Sequence, residues 1–440
     1  MDTSTLAAYR HQLYHCFTSR RDALFEVSDA LLSFPSGRSF VELSQAECMR
    51  RRWPSLYQAM DEGRIDEAGL VGVWSSYRPQ SHERLVLGLD TVGVHRPLAR
   101  TYPERTWVHI PNLPPSSRPV KPGWEFSTLG IVPARTSSHV YWLDASRVDS
   151  SQRAVDVGAM QLGRVLPLLA VCPIVLCDSR YASAVWVDAT RGLECDQLLR
   201  AAANRVLYRP PPPPTHKRGG PRKDGDRFQG KDASTHGEPD LEWSGLDDKG
   251  KAITVSCWQR LHLSKCRDVQ IAVLRVRRQG AKETKRDPKD SWFWWLGGQL
   301  PPLESIPKLY ARRYCLEHAY RFDKQDLLLD KPHLCTPEQM SRWLLVVAAV
   351  HNELMLAAPL LEVEYRPWDR RGSEPTPRQL RRGAGRLLVR LGTPVRAVKV
   401  RGKSPGRQTG TVVRHKPDSP VLIKRGNKPS RPPPPPHRHH

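Results

Sequence analysis

Apolar residues recur near a 3.6-residue period from residue 3 to residue 78. "TLAAYRHQLYHCFTSRRDALFEVSDALL" and "RRRWPSLYQAMDEG" both read as helices, which predicts a small helical domain over residues 1–80. The period then shortens. "RLVLGLD" (84–90), "SHVYWLDAS" (138–146) and "CPIVLCD" (172–178) are apolar runs of β type, and "VDVGAMQLGRVLPLLA" between the last two is helical. Strand, strand, helix, strand predicts an α/β sheet with mixed connections over 81–208. "RPPPPPTHKRGGPRKDGDRFQGKD" (209–232) then favours extended polyproline and cannot build a core. Sheet-like sequence resumes in "ITVSCWQRLHL", "DVQIAVLRVRR" and "SWFWWLGG", so 209–298 reads as a basic linker plus a β-rich insertion. Trp292, Phe293, Trp294 and Trp295 are expected to pack the core, with base stacking by one of them as the alternative.

Two helical patterns follow over 299–365. The first is "YARRYCLEHAYRFDK" and the second "TPEQMSRWLLVVAAVHNELMLAA", which Thr336 caps with Glu338 in its first turn. From Arg366 to His440 the chain is rich in Gly and Pro, with β-like pieces "VRAVKV", "GTVVRH" and "PVLIKR". It is expected to be a basic, partly disordered tail. No internal repeat is evident beyond two proline runs.

Charge narrows the choice of partner. The formal charge of the 440 residues is +24, and the tail holds 20 Lys or Arg against 3 Asp or Glu. A field of that sign attracts a polyanion before any specific contact forms, so nucleic acid is the expected partner. Arg50, Arg51, Arg52 and Trp53 stand ready for a backbone phosphate or form a solvated face. The nine cysteines show no Cys-x-x-Cys, which suggests neither a zinc module nor a disulfide framework and fits a reducing cytosol. No signal peptide is recognised, and the apolar runs are too broken to make a convincing membrane span.

In the first of those two helices, Tyr310, Arg313, Glu317 and Lys324 fall within a sector of roughly 60° at 100° per residue. A surface Arg313–Glu317 pair is the plain reading of that face. Two earlier strands end in aspartate, Asp90 and Asp178, where such sheets expose chemistry. Asp188 in "VWVDAT" follows a β-like run and rivals Asp178, whose strand is more apolar and follows the expected helix. Three gathered carboxylates repel unless a cation sits among them, and hard divalent ions take such oxygen ligands.

The spacing of Tyr310, Arg313, Glu317 and Lys324 resembles the Tyr-Arg-Glu-Lys signature of the DDE transposases of bacterial insertion sequences, in the group that includes families four and seven-zero-one. "RLVLGLDTV" and "PIVLCDSRYAS" look like that family's two aspartate strands, and the likeness covers roughly residues 80–350. It implies a ribonuclease-H-like catalytic domain with a β-rich insertion. By resemblance, Asp90, Asp178 and Glu317 are catalytic ligands of two Mg²⁺ ions, with Mn²⁺ as a substitute, and Tyr310, Arg313 and Lys324 contact DNA. The resemblance further implies cleavage at element ends, strand transfer into double-stranded target DNA, and a homodimer on DNA in the cytoplasm beside the nucleoid. Trp243 and Trp258 are candidates to stack on a displaced base. The alternatives are an inactive, adopted DNA-binding descendant and another ribonuclease-H-like nuclease.

Overall fold

The computed structural model describes residues 1–110, 119–134, 137–213, 220, 222–248, 250–281, 289–372, 374–398, 409, 410, 412 and 416–424. Helices α1 (Thr3–Cys16), α2 (Arg21–Ser33), α3 (Phe40–Leu43), α4 (Trp53–Glu62) and α5 (Glu67–Ser76) form an N-terminal layer, with the short strands β1 (Phe17–Ser19) and β2 (Arg64–Ile65) paired between them. Asp2, Ser39 and Asp66 cap three of these helices through first-turn backbone N–H groups. Arg50 and Arg51 both pair with Glu26, and Arg51 also reaches Asp22, while Arg50, Arg52 and Trp53 are exposed.

The sheet follows with β3 (Val86–His95), β4 (Thr106–His109), β5 (Val120–Ile131), β6 (Tyr141–Val148), α6 (Ala154–Leu169), β7 (Ile174–Cys177), α7 (Ala184–Ala189) and β8 (Asp196–Ala201). The neighbours run β6-β5-β3-β7-β8, the first two contacts antiparallel and the last two parallel, which is a ribonuclease-H-like order. The longest of these strands, β5, did not register as a strand in the sequence, because Pro122, Gly123 and Gly130 interrupt its pattern. "VWVDAT", β-like in its pattern, lies in α7, with Ser183 accepting from the Trp186 N–H as its cap.

The insertion supplies β9 (Val206–Tyr208), β10 (Arg227–Gln229), β11 (Leu241–Leu246), β12 (Ala252–Leu263), β13 (Cys266–Arg278) and β14 (Asp290–Leu296). Because β14 pairs antiparallel with β8, the insertion extends the main sheet, which reaches twelve strands among the described residues. Trp292, Phe293, Trp294 and Trp295 are buried, as their density of large apolar area requires. Trp258 is also core. It is 1% exposed, stacks on Trp292, and donates its indole N–H to the Gly237 carbonyl, so it offers no face to a base.

The remaining helices are α8 (Ile306–Ala311), α9 (Cys315–Gln325), α10 (Pro337–Ala357) and α11 (Pro377–Leu391). Thr336 caps α10 in a reciprocal box with Gln339. This helix is long and apolar enough to cross a membrane, yet most of it is buried inside the fold. Its Asn352 side chain both accepts from the Trp142 N–H and donates to the Trp142 carbonyl, which satisfies a backbone position of β6 that lacks a second strand neighbour. The tail region is not devoid of helix: α11 buries Leu380, Ala384 and Leu387 and packs against α2 and α10. Of the β-like pieces expected in the tail, 395–398 form no strand and 420–424 contribute one bridge, at Leu422, while most of "GTVVRH" and the terminal proline run lie outside the described residues.

Candidate active site

Parallel pairing of β3 and β7 sets Leu89 beside Cys177, so Asp90 and Asp178 come next on the two chains where β7 ends; Asp90 does not end its own strand as expected, because pairing with β5 carries β3 on to His95. Each carboxylate is tied to nearby backbone. Asp90 accepts from the Thr91 N–H at 2.8 Å and Asp178 from the Arg180 N–H at 2.9 Å. Burial pushes the Asp90 carboxyl above its ordinary range and Asp178 adds to the push, while Arg313 pulls the other way at 2.5 Å. Asp188, the rival, lies on α7, is largely exposed and pairs with Arg191 at 3.0 Å.

The face expected to run along one helix is broken. A 3₁₀ turn, Arg312–Tyr314, separates α8 from α9. Arg312 donates to the carbonyls of Val132 and Pro133 while its neighbour Arg313 donates to Asp90, so two successive side chains anchor the turn to the segment just past β5 and to β3. Tyr310 turns inward: its hydroxyl donates to the Cys177 carbonyl at 3.3 Å, its ring packs on Phe293, and burial pushes it up to about 12. Arg313 also lies 3.9 Å from Glu317, which is half exposed. Lys324 donates to the Gly93 carbonyl at 2.9 Å, and burial lowers its ammonium.

A cleft of about 750 Å³ is lined by Asp90, Asp178, Glu317 and Lys324 together, whereas Tyr310 and Arg313 lie behind its wall. It is also lined by residues that sequence reasoning missed, notably Glu125, Arg180 and Tyr320. Glu125 had no signal because its strand was not legible. Arg180 stood inside "DSRYAS", where one Arg among many carries no signal of its own. Arg180 and Lys424 hold Glu125 down at about 2 against a burial that by itself raises it.

The donor set suits a hard divalent ion, since every candidate ligand is a carboxylate oxygen. Two donors near these carboxylates, Arg313 Nε and the Tyr181 hydroxyl, are buried and lack a hydrogen-bond partner among the described residues. Glu317 is not drawn in to the two aspartates. Among the described residues, no three His, Cys, Asp or Glu side chains gather closely enough to be recognised as a metal cluster. Arg313 lies between the two acids, 2.5 Å from Asp90 and 3.9 Å from Glu317.

Residues 12–263 match a family model described as DDE superfamily endonuclease. That stretch contains Asp90 and Asp178 and stops before the turn and helix that bear Arg313 and Glu317. Among curated proteins no match is found.

Proposed function

The chain belongs to the DDE superfamily endonucleases, and we propose that it is a DNA transposase of the insertion-sequence type, which cuts DNA at the ends of its element and joins the freed 3′ ends to target DNA. The observation that carries this reading is that Asp90, Asp178, Glu317 and Lys324 all line one cleft on a ribonuclease-H-like sheet. Asp90 and Asp178 would hold divalent ions, Mg²⁺ by the hardness of the donors, with Glu317 completing the set. When bound, such ions supply an activated water or 3′ hydroxyl and neutralise the leaving oxygen.

The protein's own groups set the conditions. Thr91 and Arg180 orient the two aspartates through backbone N–H donors. Arg313 stabilises the ionised form of Asp90. Tyr310 fixes the end of β7 by its bond to the Cys177 carbonyl, so both residues serve the DNA site from behind. Lys324, which lines the cleft, would meet a backbone phosphate as a point charge. The partner is double-stranded DNA, held as a homodimer with one active site for each element end, in the nucleoid-bearing cytoplasm.

The test is Glu317→Gln with duplex DNA carrying the element's terminal repeats. Binding should persist because it rests on phosphate contacts, while cleavage in Mg²⁺ should be lost. Retained nicking refutes the site. Joining of a 3′ end to a second duplex by the unaltered protein separates a transposase from a plain nuclease.

A further inference from the structure

Lys424 lies 299 positions from its partner Glu125, yet the two side chains meet at 2.5 Å. Arg180 binds the other oxygen of the same carboxylate at 2.7 Å and the Thr91 hydroxyl at 3.3 Å. We infer that Arg180 is a phosphate-contacting residue of the cleft and that Lys424, supplied by the end of the chain, positions it through Glu125. This rests on the proposed reading of the cleft as a DNA site.

The arrangement is built rather than incidental. The segment 416–424 docks along the edge of the sheet beside β4: the Ser419 N–H donates to the Arg100 carbonyl at 2.9 Å and the Leu422 N–H to the Arg105 carbonyl at 2.7 Å. Leu422 forms a parallel bridge with Thr106. Arg105 is 3% exposed and locks the contact, since its guanidinium donates to the carbonyls of Tyr102, Arg96, Arg100 and Ser419. Five residues past Ser419 comes Lys424, with its side chain 11% exposed and its ammonium on Glu125.

The charges explain why two cations are needed. Arg180 alone beside Glu125 would be a neutral pair facing incoming DNA. With Lys424 on the second carboxylate oxygen, the trio is net positive next to Asp178, and Glu125 becomes a fixed strut. Arg180 spends Nη1 on Glu125 and Thr91, and its Nε and Nη2 have no hydrogen-bond partner among the described residues. Its side chain is 42% exposed and lines the cleft, so a forked donor face is open to a phosphate. Its main chain is at the same time tied to Asp178, two positions before it, which sets the distance between that face and the carboxylates.

The experiment is the salt dependence of binding of the full chain to a random-sequence duplex oligonucleotide, with the thermal midpoint recorded for every variant. Arg180→Ala should weaken binding about tenfold and reduce the slope of log K against log salt by about 1, the share of one phosphate contact. Lys424→Met should weaken binding less, Lys424→Arg should restore it, and Lys424→Met should add nothing in the Arg180→Ala background. An unchanged slope in Arg180→Ala at an unchanged midpoint overturns the phosphate contact. Additive losses overturn the positioning role, because Lys424 would then touch DNA itself. Arg180-dependent binding without cleavage of any element end would sink the transposase reading and leave this inference standing. Cleavage with an Arg180-independent slope would do the reverse.

Discussion

Arg10→Met should cost the protein about 3–5 kcal/mol at neutral pH, the range for removing one partner of a buried ion pair. Arg10 on α1 is 2% exposed and lies between two buried carboxylates. One is Asp29 of α2 at 2.8 Å, and the other is Glu353 of α10, also in direct contact. Thr393, just past α11, donates to the second Asp29 oxygen at 3.0 Å, so the cluster ties the N-terminal layer to α10 and the tail helix. Methionine fills much of the same volume, and the loss therefore reports on two carboxylates left without a cation rather than on a cavity. It amounts to roughly 10²–10⁴ in the folded-to-unfolded ratio at about 1.4 kcal/mol per decade. Burial already raises the carboxyls of both Asp29 and Glu353, with Arg10 pulling each of them down. An acid whose folded pKa lies above its unfolded value binds protons better when folded, so stability falls as pH rises from the ordinary carboxylate range, about 4, through the folded value. Without Arg10 both values rise further. The deficit should then be smallest near pH 4 and reach full size at neutral pH. Urea unfolding followed by tryptophan fluorescence at about pH 4.5 and about pH 7.5 measures it. A deficit under about 1 kcal/mol at neutral pH, or one that is larger in acid, refutes the reasoning. The triple variant with Asp29→Asn and Glu353→Gln should recover most of the loss, since no buried charge remains.

Three further outcomes follow from packing and charge. Truncation after residue 365 removes α11 and uncovers apolar surface on α2 and α10, and with Leu380 and Leu387 each worth about 1.5–3 kcal/mol of burial it should yield insoluble or readily proteolysed protein. Truncation after residue 424 should leave the thermal midpoint unchanged and flatten the salt dependence of DNA binding; an unchanged slope would show that the final basic residues do not meet DNA. Gly88 is two residues before Asp90, and a Cβ there would come within 2.9 Å of both Leu316 and Val132. Gly88→Val should push α9 off β3 at a cost of about 1–3 kcal/mol and lower cleavage more than DNA binding, and equal losses in both assays would count against that coupling.

Much of this protein could be read from periodicity. The helical N-terminus, the presence of β3 and β7, α6 before β7 and the long α10 all follow from the spacing of apolar residues, because each element buries one regular face, although β3 runs past Asp90 to His95. The match over residues 12–263 places the chain among the DDE superfamily endonucleases, while Tyr310, Arg313, Glu317 and Lys324, which carry the finer resemblance, lie beyond it. What the pattern missed was set by contacts distant in sequence. β5 holds its strand geometry in spite of Pro122, Gly123 and Gly130 because β3, β4 and β6 supply its hydrogen bonds. α11 has a basic, glycine-bearing sequence that only the waiting surfaces of α2 and α10 make into an ordered helix.

The candidate site divides in the same way. Local sequence determined which residues are acidic and that Asp178 follows an apolar strand, whereas pairing with β5 carries β3 on past Asp90 to His95. Tertiary structure alone decided that Arg313 would serve Asp90, that Tyr310 would turn to a carbonyl, and that Lys424 would meet Glu125 across the sheet edge. Pairing of charges depends on distance in space, and distance along the chain carries no record of it.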